Sequence, residues 1–343
     1  MQPVRFGIVG LGTWGRVHAD TYTSHPHSVL TAVCDTHEKR AAEFAATYGV
    51  KKAYVDYNEM MRDPEIDAVA IVTPDFAHCG PIVAAARAGK HIIVEKPLAT
   101  TLKDLDEISE AVRKAGITFM VDFHCRWAPP LAVAKQNIEK GELGTVISAY
   151  LRLNDTIYVP TTMLRWAAKT SILWFLGSHA VDALRYMLSD EVERVYALSR
   201  SEVLRGRGLD VPDIYKAILE FRGGTIASLE CNWIMPNTNP GYNDFKVNIL
   251  GSKGMINMDL THNQLIERYL EDRVDRPNCL GDTMIYGKRV GFIYESIIDF
   301  IECVAEGKPV RSTLEDGVRT SKVLLAMAKS AAEGAPVKIA AIR

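Results

Sequence analysis

Apolar residues over roughly the first 122 positions come in short runs. They stand at Val4–Val9, Val29–Cys34, Ala68–Val72, His91–Val94 and Ile117–Val121. Runs of that length without polar alternation suit strands buried on both faces. Between them, Glu38–Tyr48, Phe76–Ala88 and Leu102–Ala115 carry helical spacing. Strand and helix in strict alternation predict an α/β domain over residues 1–122, a doubly wound parallel sheet. Ligands of such sheets sit beyond the carboxyl ends of the strands, so the turns after Val72, Val94 and Val121 are the places to search.

The rhythm changes after about residue 122. Strand-like runs separated by short turns follow at Val146–Asn154, Val195–Ser199, Tyr215–Phe221, Thr225–Asn232, Lys246–Leu250 and Gln264–Tyr269. Arg222-Gly223-Gly224-Thr225 reads as a hairpin turn. Helical patterns near Leu131–Lys140, Trp174–Leu188, Tyr294–Ala305 and Leu314–Glu333 bracket the block. This predicts an α+β domain over 123–343, built on a large, mostly antiparallel open sheet. No repeat and no Pro-, Gly- or Ser-rich linker separates the two.

The chain has 343 residues, 48% of them hydrophobic, which is enough for two cores. Forty Lys and Arg against 42 Asp and Glu leave a net charge of −2, and no basic run stands out. Neither nucleic acid nor an anionic membrane is an expected partner. No apolar stretch approaches the ~18 residues of a membrane helix, and the N-terminus predicts a first strand rather than a secretory signal. Six scattered cysteines, without C-x-x-C or metal-ligand spacing, read as reduced thiols of a cytoplasmic protein, and no metal is expected.

The first run passes straight into Gly10-Leu11-Gly12-Thr13-Trp14-Gly15, and a helical pattern starts there. Gly10 permits a tight turn, Gly12 lets a pyrophosphate approach the backbone, and Gly15 allows close helix–strand packing. The helix N-terminus adds unpaired N–H groups and a positive dipole end. Asp35 closes the second run twenty residues after Gly15, where a carboxylate accepts ribose hydroxyls. A glycine triplet alone is weak evidence; strand, helix and acid together predict a Rossmann domain holding NAD. Asp35 disfavours a 2′-phosphate, while His37, Lys39 and Arg40 close by leave NADP open.

The turn after Val94 reads Glu95-Lys96-Pro97. A lysine there stands near the nicotinamide and is a candidate to bind a substrate hydroxyl and stabilise a developing alkoxide; the bland reading is a solvated surface lysine. The turn after Val72 reads Thr73-Pro74-Asp75-Phe76-Ala77-His78, both a helix start and a backbone wall for a cofactor. In Gly177-Ser178-His179-Ala180-Val181-Asp182, a histidine on an apolar helix is more often packing than catalyst. Asp182 shares its helix face and is a candidate to orient the ring or bind a hydroxyl.

Together these motifs resemble the Gfo/Idh/MocA oxidoreductases, which include glucose-fructose oxidoreductase and inositol dehydrogenases. The resemblance rests on Gly10-x-Gly12-x-x-Gly15, Thr73-Pro74 with His78, Glu95-Lys96-Pro97, Gly177-x-His179-x-x-Asp182, Gly251-Ser252-Lys253-Gly254 and the stretch Pro309–Gly317. It implies a Rossmann domain followed by an α/β domain whose open sheet forms homodimers or homotetramers. It also implies that His179 takes the hydroxyl proton and Lys96 assists while hydride passes to the nicotinamide. The cofactor contacts then fall on Gly10, Gly12, Thr13, Trp14, Gly15, Asp35, Thr73, Pro74, His78, Glu95 and Lys96.

One position departs from the family pattern. Many relatives carry Asp four residues before this histidine; here it is Phe175, preceded by Lys169-Thr170-Ser171-Ile172-Leu173. Asp155, Tyr158 and Lys169 are the candidates to serve instead, and Arg126, Trp127 and Trp166 are candidates to line the pocket. The expected activity is an NAD(P)-dependent dehydrogenase or reductase acting on a secondary alcohol of a sugar, glycoside or cyclitol. The alternatives are redox-neutral glycoside cleavage through transient oxidation, and a dinucleotide-binding sensor without catalysis.

Overall fold

The structure, a computed structural model, describes residues 2–261, 265–272 and 274–342. It forms two compact units. The first takes the chain up to His124 together with Met284–Arg319; the second takes Cys125–Thr283 and the chain from Thr320 onward.

The first unit holds a six-stranded sheet of β1 (Val4–Val9), β2 (Ser28–Cys34), β3 (Lys52–Tyr54), β4 (Ala68–Ile71), β5 (His91–Glu95) and β6 (Phe119–Asp122). The order is β3-β2-β1-β4-β5-β6 with all pairs parallel, so the winding reverses between β1 and β4. The connecting helices are α1 (Thr13–Ser24), α2 (Glu38–Tyr48), α3 (Tyr57–Met61), α4 (Cys79–Arg87) and α5 (Leu102–Ala115). Gly49 and Gly116 end α2 and α5 in the left-handed conformation, where glycine pays no Cβ penalty. Phe6 stacks on Tyr22 of α1 with ring centres 4.0 Å apart, and Phe300 meets Phe6 edge-on.

The second unit begins with α6 (Pro129–Glu139) and contains α7 (Ser178–Leu188). Its sheet comprises β7 (Val146–Asp155), β8 (Val192–Arg200), β9 (Ile214–Phe221), β10 (Ile226–Asn232), β11 (Asn243–Gly251) and β12 (Met255–Asp259). Short strands β13 (Arg268–Tyr269) and β14 (Val274–Asp275) follow in this unit; β15 (Thr283–Ile285) and β16 (Lys288–Val290) lie at and beyond the return of the chain to the first unit, and β17 (Val337–Lys338) is back in the second. The main sheet runs β12-β11-β7-β10-β9-β8-β17, and only β7–β10 among its pairs is parallel. Of the last helices, α8 (Phe292–Glu306) belongs to the first unit, and α9 (Leu314–Glu333) begins in the first and runs on into the second.

Register gives the large sheet two unlike faces. Val195, Leu219, Ala227, Ala149 and Ile249 are buried on one. On the other, cross-strand rows bring Tyr196, Ile218 and Ser228 together, with Ile226, Leu250 and Met255 exposed one row away. The α/β class and the parallel-then-antiparallel order are as expected from the sequence. The expected hairpin is present, with Gly224 at φ 91° and Phe221 N–H donating to the Thr225 carbonyl at 2.9 Å.

Several boundaries differ. β6 starts at Phe119, two residues late, and the helix expected from Phe76 is a 3₁₀ turn at Asp75–Ala77 before α4. The helix expected from Trp174 begins as a π-turn, Leu173–Gly177, and becomes α-helical at Ser178. Ser178 Oγ donates to the Trp174 carbonyl at 2.8 Å, a side chain competing in the ladder, which is a recognised cause of such irregularity. Of the expected strand Gln264–Tyr269, Gln264 lies outside the described residues, and the strand spans Arg268–Tyr269 only.

Candidate active site

Two of the loop's three glycines meet a steric demand, and the third lies in open space. Gly10 has φ 97°, and a Cβ there would stand 2.6 Å from the Val72 carbonyl oxygen on β4's exit turn. A Cβ on Gly15 would lie 2.5 Å from the Gly10 oxygen, so close packing of α1 on its strand forbids one. At Gly12 a Cβ would meet nothing within 4 Å. Packing does not require that glycine; open space above the loop does, and a pyrophosphate fits such a space. No side chain caps the start of α1, and no acidic residue occupies its first turn. Its N–H groups and dipole therefore face that space. Thr13 is exposed there, and Trp14 is half-buried.

Asp35, 7% exposed, is held from three sides. It accepts from Leu11 N–H at 3.1 Å, from His37 N–H at 2.9 Å and from Arg40 at 3.0 Å. The carboxylate thus pins the glycine loop to the end of β2. Arg40, half-exposed, sits on the same carboxylate.

The exits of β4 and β5 are tied together by His78. Its Nδ1 lies 2.8 Å from the Pro97 carbonyl and its Nε2 3.0 Å from the Thr73 carbonyl. Burial pushes its pKa down, against the pull of Asp75, and a neutral ring serves one carbonyl at a time. His78 is therefore a strut beneath the turns, with both nitrogens turned to backbone. Thr73 Oγ1 donates to the Ala77 carbonyl at 3.2 Å, and Pro74 precedes the 3₁₀ turn. Lys96 follows β5 and is 7% exposed; the Lys96–Pro97 peptide is cis.

Glu95 points into a buried cluster. Its register partner on β6 is Asp122, and His18 Nε2 of α1 lies 3.9 Å from its Oε1. Burial opposes ionisation of Glu95, yet His18 and the Lys96 ammonium outweigh it and hold the carboxyl below its usual range. Burial, then the charge of Glu95, pushes Asp122 well above. The two buried carboxyls are thus pushed apart in pKa, Glu95 down and Asp122 up. His18, Glu95 and Asp122 bring ligand-type atoms within 4.8 Å of one another. The 3.9 Å gap nevertheless exceeds the roughly 3.0–3.4 Å between neighbouring ligands of one ion. His124 lies with its ring centre 5.3 Å from that of Trp14 and 5.9 Å from that of Phe292. Burial lowers its pKa to about 4, so the ring is neutral at neutral pH.

In the second unit, His179 is the second residue of α7 and is 5% exposed. Cys125 Sγ lies 3.6 Å from its Nδ1. Arg126 grips Asp182 with two hydrogen bonds, Nε to Oδ2 at 2.8 Å and Nη2 to Oδ1 at 2.6 Å. Arg185 stands 3.6 Å from Asp182 and bonds Glu191 and Thr320. The two substrate candidates Arg126 and Asp182 are thus engaged with each other in a buried network. Asp155 is buried at the end of β7. Tyr158 faces Tyr242 with ring centres 5.9 Å apart, and both line a cavity of about 640 Å³ with Asn237, Asn239, Arg268 and Asn278. Trp166 is half-buried and Lys169 exposed around a 3₁₀ turn, and Phe175 is half-buried in the π-turn.

Sequence reasoning missed His18, Asp122 and Cys125. His18 and Asp122 become partners of Glu95 only through α1 packing and the β5–β6 register. Cys125 had one local signal, its place beside Arg126.

This glycine loop on a parallel sheet defines an NAD-binding oxidoreductase domain. Two family models match most of the chain: "Oxidoreductase family, NAD-binding Rossmann fold" over residues 4–123 and "Oxidoreductase family, C-terminal alpha/beta domain" over 135–339. The chain belongs to the Gfo/Idh/MocA oxidoreductases. It is 30% identical over 346 residues to the scyllo-inositol 2-dehydrogenase (NAD(+)) of Bacillus subtilis, covering 98% of this chain and 96% of that one. It is 28% identical over 340 residues to the myo-inositol 2-dehydrogenase of Thermotoga maritima, covering 98% of each. A solved structure of a probable dehydrogenase from Thermotoga maritima superposes with a TM-score of 0.82 at 25% identity, covering 99% of this chain and 100% of that one. Among the described residues, no helix is long and apolar enough to cross a membrane.

Proposed function

We propose that this oxidoreductase converts one secondary alcohol of a cyclitol or sugar to a ketone, reversibly, with NAD. The observation that carries the reading is Lys96: an ammonium 7% exposed at the carboxyl end of β5, in the same unit as the open glycine loop. The inositol dehydrogenases among its relatives support the choice of a polyhydroxylated ring. NAD, when bound, takes the carbinol hydrogen as hydride.

The protein's part is the proton and the oxygen. His179 accepts the hydroxyl proton at Nε2, and Lys96 donates a hydrogen bond to the oxygen as it gains charge. In the return direction the imidazolium gives that proton back to the new alkoxide. Asp35 accepts from the adenosine ribose, while Gly10, Gly12 and the N-terminus of α1 hold the pyrophosphate. We further propose that copies associate through the open face of the large sheet as a dimer or tetramer.

The test is a panel of myo-inositol, scyllo-inositol, free sugars and glycosides with NAD, following absorbance of the reduced nicotinamide. Ketone and reduced nicotinamide forming one for one is the expected result. Cleavage of a glycoside without net reduction of NAD would overturn the dehydrogenase reading. So would NAD binding with no turnover of any polyol.

A further inference from the structure

Cys125 and His179 are 54 residues apart in sequence, yet Sγ lies 3.6 Å from Nδ1 and both side chains are buried. The surroundings fix this contact. Arg126, the next residue, is fastened to α7 by its two bonds to Asp182, and its guanidinium also lies 5.3 Å from the Tyr186 ring centre. Asp182 stands three residues after His179, on the same helix face. Arg185, anchored on Glu191 and Thr320, steadies Asp182 from its other side. Buried charge-assisted bonds of this kind are short and directional. Where residue 125 meets residue 179 is therefore set by a network, and rotation of one side chain does not undo it.

A neutral imidazole carries a single hydrogen. For Nε2 to take a proton from an alcohol, that hydrogen must sit on Nδ1. The partner of Nδ1 chooses the tautomer and the ring's direction. Sulfur is a weak acceptor, but its position against Nδ1 is fixed. A thiol donating the other way would leave the hydrogen on Nε2 and disable the base. We propose that Cys125 is the positioning residue of His179: its sulfur accepts the Nδ1 hydrogen and keeps Nε2 as the proton acceptor. Cys125 forms no bond to substrate and changes no oxidation state. The proposal rests on His179 being the base of the reaction above.

Its test does not need turnover. Long-range ¹H–¹⁵N spectra of protein labelled in histidine report which ring nitrogen bears the hydrogen, with His179→Gln identifying the signal. The Nδ1–H form is expected in the parent and in Cys125→Ser, whose hydroxyl also accepts. Cys125→Ala, folded by circular dichroism, should shift towards the Nε2–H form. An unchanged tautomer in Cys125→Ala, or the Nε2–H form in the parent, overturns the proposal. In rate measurements with NAD and a panel alcohol, Cys125→Ala should lower kcat about tenfold, leave the KM for NAD unchanged, and be rescued by Cys125→Ser. If His179→Ala turns over at the parent's rate, the reading of His179 as base fails, whatever the tautomer shows.

Discussion

At Glu95 and Asp122 two carboxyls stand in register on adjacent strands; His18 and Lys96 hold Glu95 down, while burial and the charge of Glu95 push Asp122 up. Asp122 is the neutral partner, its folded-state pKa raised above the unfolded value of about 3.9. Such a group contributes its full stability below the unfolded pKa and loses it as pH rises towards the folded pKa. Asp122→Asn keeps the shape and removes the titration. It should therefore gain thermal stability over the parent as pH rises from about 4.5 to 8, with little difference at the acid end. Midpoints that keep a constant offset across that range would contradict a neutral Asp122. Single residues were legible in the sequence where a motif carries its own spacing. Asp35 and Lys96 were found by their place at strand ends. Asp122 stood outside any motif, and the Arg126–Asp182 pair depends on packing of the 3₁₀ turn His124–Trp127 against α7 that no local pattern encodes.

The glycine loop between β1 and α1 separates structural demand from functional demand inside one element. Gly10→Ala forces a side chain into φ 97° and against the Val72 carbonyl, so it should unfold at lower temperature than the parent. Gly12→Ala has φ −81° and open space around the new methyl. Its thermal midpoint should match the parent's, while its affinity for NAD should fall by about tenfold, ~1.4 kcal/mol, in a calorimetric titration. Equal NAD affinity in folded Gly12→Ala would show that the pyrophosphate does not lie over that residue. Most elements were legible because buried parallel strands read as unbroken apolar runs and the longer helices keep their period. The missed ones, β3, α3, β12, β14, β15, β16 and β17, are short, edge-located or polar on one side. In the expected strand Gln264–Tyr269, among the described residues only Arg268–Tyr269 pairs, with Val274–Asp275.

Across the whole chain, the two-part order of parallel and then antiparallel sheet was readable from the change of rhythm near residue 122. The inclusion of Met284–Arg319 in the first unit was not, because nothing in the local pattern of α8 says which sheet it covers. The open face of the large sheet exposes Ile218, Ile226, Leu250 and Met255, with Tyr196 beside Ile218. An apolar patch of this kind on an otherwise charged surface suits self-association. The parent should run as a dimer or tetramer in light scattering, and Ile218→Lys should shift it towards monomer; a monomeric parent would remove that proposal. Lys96 and His179 are proposed to serve one proton relay, and a double-mutant cycle on kcat tests this most directly. Lys96→Ala and His179→Ala should each lower kcat by about 10²–10⁴-fold, and the double variant should lose far less than the product of the two. Either single variant turning over at the parent's rate, or losses that simply multiply, would contradict it.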